Sequence, residues 1–440
     1  MKYQAYESYK DSGVTWESEV PSPWVETRFK WILTEKKKVS NFNLPAGSIS
    51  FGNVVFKNED SLAEDTKASY QELLQGEFLI NPLNLNYDLK SLRTALSDKN
   101  VVVSTGYIIL NSKEGFNKNY LRWVLQEFDV AHMKTLGAGV RQTITFADIG
   151  NSIFHYPNID EQTHIAKFLD YETAKIDDLI AKQVRLIELL KEKRQAVISH
   201  AVTKGLDPNA PMKDSGVEWL GEIPKHWDIM SLKSCMTTKK GVAFKVNDFC
   251  ESGIKVVKAS DIKQKTIRES EIYLPTNFLQ RYPKAVLQTG DLILSTVGST
   301  PDVKNSAVGQ IGKVPKELNG SLLNQNTVVF SSKNNLNQDF LFYLVQTDSY
   351  REHLDLNAHG TANQASLNIS DMVAYYIAIP SLQEQIAIVK YLDRKNFEFS
   401  ELENNCLNLI ILLKERRTAL ISSAVTGKID VRQWQAPTPL

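Results

Sequence analysis

Cysteine is scarce. Cys235, Cys250 and Cys406 are all the chain contains, and they form no CxxC pair and no framework. Neither a disulfide scaffold nor a thiolate zinc site is expected, and a reducing cytoplasm fits. Long apolar runs are also missing. The longest, LNLIILL at 407–413, falls far short of the roughly 20 residues a membrane helix needs. The opening MKYQAYESYKDSG has no apolar core, so no secretory signal is expected. Charge of one sign is not in excess: the formal net charge is +0. That balance argues against a protein that coats polyanions indiscriminately, and it allows a basic face offset by acidic surface elsewhere.

Catalytic signatures are lacking as well. His132, His155, His164, His200, His226, His353 and His359 show no metal-ligand spacing. GAG at 137–139 has no strand–Gly-rich–helix setting and reads as a turn. No GxxxxGK[ST] phosphate loop occurs, and GQIGK at 309–313 falls short of one. NPLN at 81–84 lacks the aromatic of an amino-methylation motif, and Pro301-Asp302 has no (D/E)xK partner for a nuclease. A non-catalytic chain that binds no metal or cofactor of its own is expected.

What the chain does have is repetition. KDSGVTWESEVPSPW (10–24) returns as KDSGVEWLGEIPKHW (213–227). QGEFLINP (75–82) corresponds to TGDLILST (289–296), and GVRQTITFADI (139–149) to TANQASLNISDM (361–372). The longest match runs without gaps from 157–207 to 380–430 and includes Glu161-Gln162 with Glu384-Gln385. Each copy therefore reads as a short turn phrase, a mixed domain and a long helix. The helices match better than the domains between them, which suggests one architecture carrying two binding specificities. The expected segments are a first domain at 1–156, a helix at 157–205, a second domain at 206–379, a second helix at 380–427 and a tail at 428–440.

Each helix shows a heptad pattern. In the first, one column holds Ile165, Glu172, Leu179, Leu186 and Lys193, the other Leu169, Ile176, Gln183, Leu190 and Val197. In the second, the columns are Ile388, Lys395, Leu402, Leu409, Arg416 and Leu392, Phe399, Cys406, Leu413, Leu420. Period 3.5 indicates a coiled-coil seam. The simplest partner for each seam is the other, packed antiparallel. Gly205 and Gly427 stand where the helices should stop.

Reading DNA needs Arg, Lys, Asn and Gln on turns that enter a groove, and Lys, Arg and hydroxyls along the phosphate rim. In the first domain the candidates are Lys36, Lys37, Lys38, Ser50, Asn53, Arg141 and Gln142. In the second they are Lys239, Lys240, Lys258, Ser260, Lys263, Ser295, Thr296, Lys304, Asn363 and Gln364. Corresponding positions differ, as Arg141-Gln142 against Asn363-Gln364, and different side chains would read different bases.

The phrase KDSGVEWLGEIPKHW, the strand GDLILSTVG, and P-x-L/I-x-EQ leading into a helix that ends KERRTALISSAVTGKID are together specific. With them the whole chain resembles the specificity subunits of type I restriction-modification systems. The resemblance implies an α+β fold: two duplicated target-recognition domains separated by two long helices in an antiparallel coiled coil, with pseudo-twofold symmetry. It implies that each domain reads one half of a split, asymmetric site in double-stranded DNA. The helices would fix the spacer and dock two methylation subunits, and a further restriction/translocase subunit would join them. S-adenosylmethionine, ATP and Mg would be bound by those partners. The other reading the sequence allows is a two-headed scaffold, spaced by the coiled coil, that binds no DNA.

Overall fold

The computed structural model describes residues 3–437 except 60–61, 84–91, 137–142, 264, 299–307, 334 and 362–363. The chain divides into two compact units. The first is Met1–Val184 with Leu407–Leu440, the second Arg185–Cys406. Both unit boundaries fall inside long helices, one spanning Ile159–Lys204 and the other Leu382–Val425.

In the first unit the repeated phrase folds as a hairpin, with Tyr9–Asp11 antiparallel to Glu19–Pro21. Its tip is held by the Asp11 carboxylate, which accepts the Gly13 N–H at 2.9 Å, and Gly13 adopts φ 68°. Lys10 donates to the carbonyl of Trp24, whose ring is buried. The indole N–H of Trp24 then donates to Glu161 Oε1 at 2.9 Å, and the Tyr6 hydroxyl donates to the same oxygen at 2.6 Å. Glu161 lies in the first turn of the first long helix. Its neighbour Gln162 donates to the Pro157 carbonyl at 2.9 Å and accepts the N–H of Asn117 at 3.0 Å. Asn117 caps the helix Lys118–Ala131. The two motifs the sequence repeats separately thus meet: the phrase clamps the Glu, and the Gln ties one helix start to another. Hydrogen bonds to a charged group contribute about 1.5–3 kcal/mol each.

The second unit repeats this device. Met212–Asp214 pairs with Glu222–Pro224, and Gly216 at φ 65° donates to Asp214 at 2.9 Å. The Trp227 indole donates to Glu384 at 3.0 Å, and Gln385 joins the Pro380 carbonyl to the N–H of Asn337. One buried feature is not repeated. Glu17 and His155 form an enclosed pair at 2.6 Å where the second unit has Leu220 and Ala378. Burial raises the Glu17 carboxyl above its usual range, against the opposing pull of His155.

The β-strands of the first unit close on themselves. Leu33–Glu35, Ile108–Ser112, Phe78–Ile80 and Thr94–Leu96 form a four-stranded sheet in that order. The hairpin Gly47–Ser50/Asn53–Phe56 lies beside Thr94–Leu96 and beside Val101–Val103. Val101–Val103 pairs with Gln71–Leu73, and the Glu72 N–H reaches the Val39 carbonyl, just past the first strand. Val54, Leu73, Leu79, Ala95, Val101, Val103 and Ile109 fill the interior. In the second unit the strand order is Met236–Lys240, Thr327–Ser332, Leu292–Ser295, Ile311–Lys313, Thr266–Ile267, Ile262–Lys263. Its own apolar interior includes Val257, Ile262, Ile267, Ile293 and Val329.

Each unit is completed by the start of one long helix and the end of the other. In the first, Ile165, Phe168 and Leu169 share a core with Ile421, Ala424 and Val425. The two segments run antiparallel: Phe168 meets Trp434 edge-on at 5.4 Å, and Asp177 accepts from Arg417 at 2.9 Å. In the second, Ile198, Ala201 and Val202 pack with Ile388, Val389 and Leu392, and Arg194 donates to Ser400 at 3.1 Å. Arg194 and Arg417 are the same residue of the repeat. Gly427, at φ 72°, presses on the first hairpin: a Cβ there would stand 2.3 Å from Pro21 Cδ.

The observed α+β duplication with antiparallel helices agrees with the sequence, and the seam needs one correction. Ile165, Leu169 and Ile176 on the first helix and Ile388, Leu392 and Leu413 on the second are buried, and Leu190 and Phe399 are half-buried. Leu179, Leu186, Leu402 and Leu409 are neither: they are 44%, 42%, 49% and 41% exposed. The inward places belong to Ile180, Ile187, Glu403 and Ile410. An undistorted α-helix repeats every 3.6 residues, so a strict heptad column drifts off the seam by about 20° per heptad.

Tyr120 offers a test of this packing. Its ring is fully buried, and its hydroxyl has no hydrogen-bond partner among the described residues. Phe340 holds the same place after the capping Asn of the second unit. Tyr120→Phe is expected to leave stability unchanged or raise it by about 1 kcal/mol, because an unsatisfied buried hydroxyl carries its full desolvation cost. Urea denaturation checks this, and a loss of stability would mean that the hydroxyl is satisfied by a bound water.

Candidate nucleic-acid interface

The corresponding surfaces of the two units can be matched through their strands. In the first, the hairpin Gly47–Ser50/Asn53–Phe56 lies beside Thr94–Leu96, which pairs with Phe78–Ile80. In the second, the hairpin Ile262–Lys263/Thr266–Ile267 lies beside Ile311–Lys313, which pairs with Leu292–Ser295. The two hairpins are therefore equivalent, and their tips differ in chemistry. The first carries Phe51 at φ 47° and Gly52 at φ 77°. The second carries Lys263, and Lys265 at φ 65°.

The polar candidates fall into three groups. Lys37, Lys38, Asn53, Lys239, Lys240 and Ser260 are exposed, while Ser50, Lys258 and Lys263 are half-buried. Asn53 flanks the first tip and donates to the Phe51 carbonyl at 3.3 Å; Lys263 flanks the second. Lys38 donates to the Thr105 carbonyl at 3.1 Å. Lys258 and Ser260 both donate to Asp261, through the backbone N–H at 2.8 Å and the hydroxyl at 3.2 Å. Lys239 and Lys240 end a strand at Gly241, where a Cβ would collide with the Asn324 carbonyl at 1.9 Å. Gln364 begins the strand Gln364–Ser366, which pairs with His359–Thr361 and with Val297–Gly298.

Three expected readers are built into the fold instead. Ser295 is fully buried and donates to the Val297 carbonyl at 2.8 Å; Thr296 is 6% exposed. The strand Leu292–Ser295 is covered on both faces, so the Ser295 hydroxyl at its end serves the backbone rather than a groove. Lys36 sits between Glu72 at 3.2 Å and Glu77 at 2.8 Å, with its side chain only 14% exposed. The Asn41 amide, then Lys36, hold the Glu72 carboxyl below its usual range, and the charge of this lysine is already paired with two carboxylates. Arg141, Gln142, Lys304 and Asn363 lie outside the described residues.

Polarity as a criterion leaves out the exposed aromatics of the first unit: Trp31, Phe42, Phe51 and Phe56 are 62%, 65%, 71% and 59% exposed. One signal was available in the sequence. From Lys36 to Asn58 there is no Asp or Glu, while Lys36, Lys37, Lys38 and Lys57 are present. Among the described residues no group of three His, Cys, Asp or Glu is placed to hold a metal, and no helix is long and apolar enough to cross a membrane.

Two units of one architecture, each presenting a differently tipped hairpin, define a duplicated recognition protein. Comparison with known proteins gives the family. The model of the type I restriction modification DNA specificity domain matches residues 8–189 and again 224–410, and the chain belongs to that family. It is 26% identical over 350 residues to the type I restriction enzyme MjaVIII specificity subunit of Methanocaldococcus jannaschii, covering 78% of this chain and 75% of that one. It is 20% identical over 335 residues to the EcoBI specificity subunit of Escherichia coli, covering 74% and 69%. Among solved structures, a chain from a study of complex assembly and conformational transition of the type I R-M system superposes with a TM-score of 0.69 at 15% identity, covering 93% of this chain and 99% of that one. The HsdS subunit from Thermoanaerobacter tengcongensis superposes with a TM-score of 0.52 at 15% identity, covering 93% and 98%.

Proposed function

We propose that this chain is the DNA sequence-recognition subunit of a type I restriction-modification complex and is itself non-catalytic. The observation that carries the reading is that the two matches to the specificity-domain family fall on two units of the same build whose equivalent hairpin tips differ. Each unit reads one half of a bipartite, asymmetric site in double-stranded DNA, and the long helices set the spacing between the halves. Lys37, Lys38, Lys239, Lys240, Lys258 and Lys263 contact phosphates, and Ser50, Asn53, Ser260 and Gln364 read base edges. Arg141-Gln142, Lys304 and Asn363 are assigned to reading on their sequence alone.

The helices also dock two methylation subunits. Leu179, Leu186 and Leu189 on the first helix, and Leu402, Leu409 and Leu412 on the second, are exposed at matching places of the repeat. A duplicated apolar surface suits two copies of one partner. S-adenosylmethionine is bound by those subunits, and ATP and Mg by the restriction/translocase subunit. The assembly works in the cytoplasm.

A gel shift with methylation subunits present tests the reading. Specific duplex is bound, and affinity falls steeply with salt: a complex that neutralises about six phosphates loses about a thousandfold between 50 and 200 mM. Absence of binding at every salt concentration would leave the two-headed scaffold as the better account.

A further inference from the structure

The tip of the first unit's hairpin combines three features that do not help the fold. Phe51 is 71% exposed, so its ring buries almost nothing. Its φ is 47°, in the left-handed region that bulky residues avoid, and Gly52 follows at φ 77°. Two central residues with positive φ make the turn that Asn-Gly forms best. An Asn at 51 would relieve the backbone, yet Phe stands there. The surrounding segment, Lys36 to Asn58, carries lysine and no acidic residue. Lys99 lies over the neighbouring ring of Phe56 at 5.9 Å. An exposed aromatic on a strained, acid-free tip gains its interaction energy from something outside the chain, and a polyanion is compatible with those surroundings.

Resting on the DNA-reading role proposed above, we propose that Phe51 is a wedge that stacks on, or inserts at, a base step within the half-site read by the first unit. Apolar side chains do this when they partly unstack DNA, and a pyrimidine–purine step yields most easily. Asn53 is paired with Ser50 directly beneath the tip. Its amide donates to the Phe51 carbonyl and steadies the turn. The equivalent tip of the second unit presents Lys263 and Lys265, so the wedge belongs to one half-site only.

The test uses the full chain assembled with its methylation subunits, and duplex carrying the target found by mapping methylated adenines. 2-Aminopurine is placed at successive steps of each half-site, away from the methylated adenines and the bases next to them, because a methyltransferase extrudes its target base. Wild-type complex is expected to raise the fluorescence at one step of the first half-site and at none of the second. Phe51→Ala abolishes that signal and weakens binding to specific duplex about tenfold or more, with nonspecific duplex little affected. Phe51→Asn is the control for folding: it relieves the turn, so thermal stability is kept or raised while the fluorescence signal and specific affinity are lost. Unchanged specific affinity in Phe51→Asn would overturn the wedge and leave the tip as a contact for protein. Equal losses on specific and nonspecific duplex would overturn it as well, since that is the mark of a phosphate contact. Failure of the wild-type complex to bind any duplex would instead overturn the DNA-reading role.

Discussion

Four residues inserted after Gln183, matched by four after Cys406, change the spacing of the recognised site and leave the bases of each half as they were. Gln183 and Cys406 occupy the same place in the two helices, next to the boundaries of the compact units. The paired insertion therefore leaves Asp177 with Arg417 in the first unit and Arg194 with Ser400 in the second. An insertion in the first helix alone would leave the second without matching length and strain both units. Four residues lengthen each helix by about 6 Å and add about 40° of rotation beyond a full turn. Base pairs rise about 3.4 Å, so a shift of about one to two base pairs in the spacer is expected, with some loss of affinity because the readers must also meet the groove in phase. Mapping methylated adenines made by the mutant complex reads out both quantities together. An unchanged spacer, with both units folded and active, would sink the idea that the helices act as a ruler.

The duplication was the most legible part of this sequence, because two copies in one chain act as their own alignment. Even so, the copies showed which residues match, not which residues meet. Trp24 and Glu161 are each repeated, but only the fold brings the indole N–H to the carboxylate. One heptad column of each helix, with Leu169, Ile176 and Leu190 in the first and Leu392, Cys406 and Leu413 in the second, stays at least half-buried, while the other drifts outward at Leu179, Leu186, Leu402 and Leu409. Leu179 and Leu186 are 44% and 42% exposed, while Ile180 and Ile187, one position on, are half-buried. At the reading surface, polarity alone proved a poor guide. Ser295 is as polar as Ser260, yet it sits in a strand covered on both faces, while Ser260 lies on an exposed turn. Lys36 stands in a run of three lysines and is the one claimed by two glutamates. Phe51 is illegible for the opposite reason: an aromatic reads as core, and only the structure shows it 71% exposed.

A fragment of residues 1–208 should form a dimer, and with methylation subunits it should methylate an interrupted palindrome built from the first half-site. In the whole chain the first unit is completed by 407–440, the end of the second helix together with the C-terminal tail. The fragment lacks that segment but carries its repeat, the end of the first helix. Ile198, Ala201 and Val202 of one copy can take the places that Ile421, Ala424 and Val425 hold in the first unit. Arg194 of one copy would face Asp177 of the other, as Arg417 does now at 2.9 Å. Burial of these apolar groups at roughly 25 cal/mol per Å² offsets the cost of association. A closed twofold dimer presents the same reader twice, so the DNA it prefers carries the same half-site twice, inverted. Two features weaken the exchange. Trp434, which packs on Phe168 and Tyr171, has no counterpart in the fragment, and Lys204, which matches Gly427 in the repeat, would place a Cβ where one stands 2.3 Å from Pro21 Cδ. The dimer should therefore be weaker than the helix pairing of the intact chain, which is intramolecular and independent of concentration. Sedimentation together with methylation mapping checks both claims. A folded fragment that stays monomeric at high concentration would mean that the two helix ends are not interchangeable, and a dimer that methylates an asymmetric site would break the equivalence of the two copies.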